Sequence, residues 1–140
     1  MIQRIQTLWL ALAAVVALLT IKFSLYSGNK VDSTGLQKYV ELTAATNFLL
    51  LILTVGIAVT AAIVIFLYRD RKVQLRLSII ALIVSLSNLI IYYNEVRKFT
   101  PEGNYSLTSL LALSIPVFLA LAIMGIYKDE KLIRSADRLR

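Results

Sequence analysis

Four long apolar runs, separated by short polar stretches, set the pattern of this chain: residues 7–26, 44–68, 75–93 and 107–127. At 1.5 Å per residue each would reach roughly 28 to 37 Å as a helix, against about 30 Å of bilayer hydrocarbon. In lipid a segment must satisfy its own backbone N–H and C=O groups, so runs of this length predict helices. Strands of a membrane β-barrel would instead alternate polar and apolar over about ten residues, and these runs do not. The expected fold is all-α: an integral membrane four-helix bundle of two antiparallel hairpins, forming one domain over residues 1–140. Residues 27–43 and 94–106 form the connections at one end, and 128–140 form a polar tail.

Composition agrees with that reading. Hydrophobic residues make up 59% of the chain and charged residues only 16%, whereas soluble domains carry about a quarter charged. Lys and Arg are distributed unevenly. Ten (Arg4, Arg69, Arg71, Lys72, Arg76, Lys128, Lys131, Arg134, Arg138 and Arg140) fall on one side of the expected bundle, against five (Lys22, Lys30, Lys38, Arg97 and Lys98) on the other. Positive residues favour the cytoplasm, so both termini and the turn from Arg69 to Arg76 are expected to be cytoplasmic. Residues 8–19 resemble a signal-peptide core, but no suitable cleavage site comes after them, and the segment reads as a retained anchor.

Each run carries small residues suited to close helix packing in lipid, where water does not drive apolar surfaces together. They are Ala13, Ala17, Thr20 and Ser24 in the first, and Thr54, Ala58 and Ala62, with Gly56 and Thr60 beside them, in the second. Ser78, Ala81, Ser85 and Asn88 mark the third, and Ala112, Pro116 and Ala120 the fourth. Trp9, Tyr68 and Tyr127 are expected near one interface, and Tyr26, Tyr92, Tyr93 and Tyr105 near the other. Asn47 and Asn88 are the most polar side chains at any depth and fall at similar levels. With Ser85 nearby, they are expected to make an intramembrane polar contact, as an interhelical hydrogen bond or as part of a small pocket.

Little in the chain points to catalysis. Cysteine and histidine are absent, which removes disulfide, thiolate and imidazole chemistry, and no cofactor or metal is called for. The interiors of the four runs hold no Asp, Glu or Arg with which to build a proton or ion pathway. Asp70, Asp129, Glu130 and Asp137 lie among basic residues and are expected to be solvated and locally paired, so the protein reads as non-enzymatic. In the tail, Leu132, Ala136 and Leu139 repeat at helical spacing, which predicts a continuing or surface-lying amphipathic helix. Arg69, Arg71, Lys72, Arg76, Lys131, Arg134 and Arg138 are the candidate contacts to anionic headgroups or to a protein partner. The net charge of +7 does not imply nucleic-acid binding, since the basic residues are interleaved with acids and lack aromatic stacking platforms.

The opening Met1-Ile2-Gln3-Arg4-Ile5-Gln6-Thr7-Leu8 and the tail Lys128-Asp129-Glu130-Lys131-Leu132-Ile133-Arg134-Ser135-Ala136-Asp137-Arg138-Leu139-Arg140 resemble an uncharacterised family of small four-helix membrane proteins from Bacteroidota. The resemblance spans nearly the whole chain and implies an inner-membrane location without any assigned activity. Two functions are expected to compete. One is an accessory or assembly subunit contacting another membrane protein or a second copy of itself. The other is a carrier or binding protein for a lipid or small apolar ligand.

Overall fold

The computed structural model describes residues 2–31, 35–67, 70–99 and 103–137. Four helices dominate: α1 (Ile2–Lys22), α2 (Phe48–Phe66), α3 (Arg71–Val96) and α4 (Ser109–Asp137). All four are long and apolar enough to cross a membrane. Contacts run in a ring, with α1 against α2 and α4, and α3 against the same two. The helix bounds differ from the hydropathy runs at both ends. Asn47, not Ala44, caps α2; α3 begins four residues earlier than its apolar run and ends three later; and α4 carries the tail straight on to Asp137.

Inward positions repeat at alternating three- and four-residue steps. They are Gln6, Leu10, Ala13, Ala17 and Thr20 on α1, and Ala112, Ile115, Leu119, Ala122, Ile126 and Asp129 on α4. This mean period of 3.5 is the signature of left-handed, knobs-into-holes packing. On α3 the same period selects Gln74, Ser78, Ala81, Ser85, Asn88, Tyr92 and Glu95, so the most polar stripe of that helix faces the core. Its outward face carries Ile79, Ile80, Ile83, Leu86 and Ile90, all exposed. A helix with polar residues inside and branched apolar residues outside suits hydrocarbon solvent and would be poorly dissolved by water.

At the end of the bundle away from the termini, the all-α expectation gives way to a small sheet. Strands β1 (Tyr26–Val31), β2 (Gln37–Leu42) and β3 (Asn104–Tyr105) form it in the order β2-β1-β3, antiparallel throughout. The two connections, far apart in sequence, therefore fold together. Tyr26 lies buried under the sheet, edge-on to Phe99 at 5.2 Å and to Tyr105 at 5.0 Å between ring centroids. The Thr108 hydroxyl donates to the Ser24 carbonyl, tying the start of α4 to the end of α1. Tyr26 and Tyr92 thus pack into the interior, while Tyr93, Tyr105 and Tyr127 are exposed. Trp9 stacks on Phe118 at 5.8 Å.

Candidate functional site

Polar side chains gather at three levels of the bundle. At the level of the termini, Gln6 of α1 donates from Nε2 to Asp129 Oδ2 of α4 at 2.7 Å, and Arg71 Nη1 of α3 lies 3.6 Å from the same oxygen. Gly125, one helical turn before Asp129, leaves the space that Gln6 occupies: a Cβ there would stand 2.7 Å from Gln6 Cγ. The expectation of a solvated, locally paired Asp129 is therefore corrected. The carboxylate is buried, and its partners come from two other helices. The physical reason is register, because Asp129 extends the inward seam of α4 by one more step past Ile126.

At mid-depth, Asn88 of α3 donates from Nδ2 to Thr54 Oγ1 of α2 at 3.0 Å. Thr20 of α1 returns its hydroxyl to the Ala17 carbonyl, and Ser85 returns its own to Leu82. The Tyr92 hydroxyl lies near Thr20 and Thr54 without completing a hydrogen bond, and Asn88 Oδ1 is likewise unpartnered. Asn47 does not meet Asn88. It sits at the cap of α2, accepting from the Leu49 N–H at 2.9 Å and donating to Glu95 Oε1 of α3 at 2.9 Å. Glu95 also accepts from Lys98 Nζ at 2.5 Å. The third apolar run stops before Glu95, yet α3 continues and turns it inward.

The pair Asn88 and Thr54 joins α2 to α3 at a magnitude of about 0.6 to 2 kcal/mol. Asn88→Leu alone should cost about 1 kcal/mol in detergent unfolding, because it strips Thr54 of its partner. Adding Thr54→Val should recover most of that loss, since an apolar pair of similar shape leaves nothing unsatisfied. A double variant less stable than Asn88→Leu would show that Thr54 has a different role.

Two hollows accompany these clusters. A cleft of about 640 Å³ at the terminal end is lined by Asp70, Arg71, Lys72, Val73, Arg76, Glu130 and Ile133. A smaller pocket of about 180 Å³ lies beneath the sheet, where Leu25, Leu42, Leu89 and Ala112 meet the rings of Tyr26 and Tyr92. Of the basic residues singled out from sequence, Arg71, Lys72 and Arg76 are brought together in the cleft. Lys131 is exposed on α4 nearby in the chain, and Arg134 falls on the same helix. Arg69 and Arg138 lie outside the described residues, as does Tyr68. Among the described residues no three His, Cys, Asp or Glu side chains converge on a metal position.

A family model described as a domain of unknown function, DUF4293, matches residues 2–139. The chain belongs to the DUF4293 family. No curated protein and no solved structure matches it. Membership agrees with the likeness drawn from the two ends of the sequence, and the match takes in nearly all of this DUF4293 chain, including all four helices and the sheet.

Proposed function

We propose that this chain is a multi-pass protein of the bacterial inner membrane, built as two antiparallel hairpins with both termini cytoplasmic. It acts without catalysis, as an accessory or assembly subunit docked against another membrane protein or a second copy of itself. The uneven distribution of Lys and Arg supports the orientation. The observation that carries the docking reading is Gly56. Half of the small residues of α2 are spent inside the bundle, where Thr54, Ala58 and Ala61 are buried. Gly56 is exposed, and a Cβ added to it would meet nothing within 4 Å. Thr60, one turn on, returns its hydroxyl to the Gly56 carbonyl, so its methyl-bearing side chain keeps a low profile. Exposed Ile52, Val55, Val59 and Ile63 flank this notch, a shape that admits a second helix at close range.

The test is extraction of native membranes in mild detergent, capture through a tag in the 32–35 segment, and mass spectrometry of the proteins and lipids retained. Wild type should bring down one stoichiometric membrane protein, or an untagged copy of itself. Gly56→Leu should lose that partner at least tenfold while folding normally, because its side chain enters open space and leucine favours a helix by about 1 kcal/mol over glycine. Recovery of the wild-type chain alone would overturn the reading. The apolar pocket beneath the sheet favours a second one, a carrier for a lipid chain or small apolar molecule. Stoichiometric copurification of such a molecule without any protein would move the assignment there.

A further inference from the structure

The pocket beneath the sheet is placed and lined in a way that narrows what it holds. Its walls are turns of α3 and α4, through Leu89, Tyr93, Ala112 and Leu113, and the sheet side supplies Tyr26 and Tyr105. Tyr93 and Leu113 are both more than half exposed and belong to the candidate spans of their helices. The mouth therefore opens sideways, between α3 and α4, into the bilayer. Val96, also in the lining, ends the α3 span, and Ser109 begins the α4 span, so the pocket sits at the interfacial end rather than at mid-depth. Among the described residues that line it, none is charged. A phosphate, carboxylate or ammonium entering there would lose water without gaining a partner, which leaves neutral ligands.

Depth and shape separate the neutral candidates. Acyl chains end near the bilayer centre, whereas amphipathic rings settle at the headgroup boundary. The volume of about 180 Å³ is close to that of an apolar cavity of roughly 150 Å³ that takes up benzene, and it would enclose only a short piece of a chain. Tyr92 turns its hydroxyl toward Thr20 and Thr54 and so offers the pocket its ring, while Tyr26 and Tyr105 meet edge-on at 5.0 Å. An aromatic ligand gains contacts with such rings beyond what its burial supplies. Being rigid, it also loses less conformational freedom on entry than a chain does. Ser109 and the exposed Tyr93 and Tyr105 bring hydroxyls to the lining that a ligand oxygen would meet. We propose that the pocket binds a neutral six-membered ring of phenol or quinone type, admitted from the bilayer between α3 and α4. Two sources supply this chemistry: a small free phenol, or the head ring of a prenyl-tailed quinone whose tail stays in hydrocarbon. The proposal rests on the carrier reading as far as the pocket takes in a ligand, and is independent of docking at Gly56.

The experiment is photolabelling of the full chain in phospholipid vesicles with two neutral probes, an aryl-diazirine benzyl alcohol and an aliphatic diazirine hexanol. Labelled peptides are read by mass spectrometry. Phe48, Leu49 and Ile52 of α2, exposed at the same end of the bundle, measure plain partition into lipid. The aryl probe should label residues 89–96 and 109–113 at least fivefold above that reference, and the aliphatic probe should label both alike. Ala112→Phe fills the pocket from α4 and Leu89→Phe from α3. Each should bring aryl labelling down to the reference while helical circular dichroism matches wild type, and if one variant packs badly the other decides. Undiminished labelling in a folded filled variant would overturn the site. Equal excess labelling by the aliphatic probe would overturn the ring assignment and leave the carrier reading standing, whereas no excess from either probe would remove both. p-Cresol and a diprenyl benzoquinone, added as competitors at equal membrane concentration, assign the source by which of them suppresses aryl labelling more. Suppression by neither would overturn the ring assignment.

Discussion

Asp129→Ala should be the most damaging single side-chain truncation among the polar residues of this bundle. The carboxylate is buried, accepts from Gln6 and pairs with Arg71. Its removal strands a Gln6 amide that is only 5% exposed and a guanidinium that is one-quarter exposed. Breaking a buried pair by deleting one partner costs about 3 to 5 kcal/mol. Arg71 can swing toward water or headgroups, so the lower end of that range, about 3 kcal/mol, is expected in reversible unfolding in detergent. Asp129→Asn keeps an acceptor for Gln6 and loses mainly the charge, so about 1 kcal/mol should suffice. The assignment to a shared network has its own check. Combining Asp129→Ala with Arg71→Ala should cost at least about 1 kcal/mol less than the sum of the single changes. Strict additivity would mean that the two residues act separately.

That network also shows what the sequence makes legible and what it conceals. The spans are readable from hydropathy because lipid demands long uninterrupted helices. The inward face of α3 is readable from Ser78, Ala81, Ser85 and Asn88, because small and polar residues are best placed away from hydrocarbon. Asp129 is not, since its neighbours Lys128, Glu130 and Lys131 give it the look of a solvated surface acid. The available signal is the seven-residue repeat of α4, in which Ala122 and Asp129 occupy equivalent positions, with Gly125 between them making room for a partner. Glu95 is concealed in the same way and stands seven residues after Asn88.

The sheet is hidden for a different reason. Tyr26–Val31 and Gln37–Leu42 are short and mixed in polarity, and their pairing depends on the intervening turn and on contacts with the bundle beneath. The sequence Asp32-Ser33-Thr34-Gly35 between them carries turn-forming residues, and Gly35 adopts a positive φ of 75°. Strand β3, two residues long, has no pattern of its own and exists because β1 offers it an edge. Asn47 shows the same dependence on context. Its polarity marks it correctly as a helix-joining residue, but its partner Glu95 lies past the end of the third apolar run, where hydropathy alone places a loop.

Gly28→Val should detach β3 from β1 and expose both connections to protease. A Cβ at Gly28 would stand 2.8 Å from the Gly103 Cα, which is backbone and cannot rotate aside, and one at Gly103 would enter the ring of Tyr26. The two glycines thus permit an approach that presses the segment before β3 onto β1 and onto the buried ring beneath it. Overpacking of this kind costs about 1 to 3 kcal/mol, and here most of the cost falls on a sheet with only two residue pairs between β1 and β3, Tyr26 with Tyr105 and Ser27 with Asn104. Strand β3 should therefore separate while the four helices persist. In reconstituted vesicles, Gly28→Val and Gly103→Val should each raise the cleavage rate between residues 97 and 106 at least tenfold, with helical circular dichroism unchanged. Gly35→Asn is the control: Gly35 has nothing within 4 Å, and asparagine tolerates its backbone conformation, so its cleavage rate in that segment should match wild type. Equal protection of all three variants would mean that β3 is held by Thr108 and the start of α4 rather than by its strand pairing.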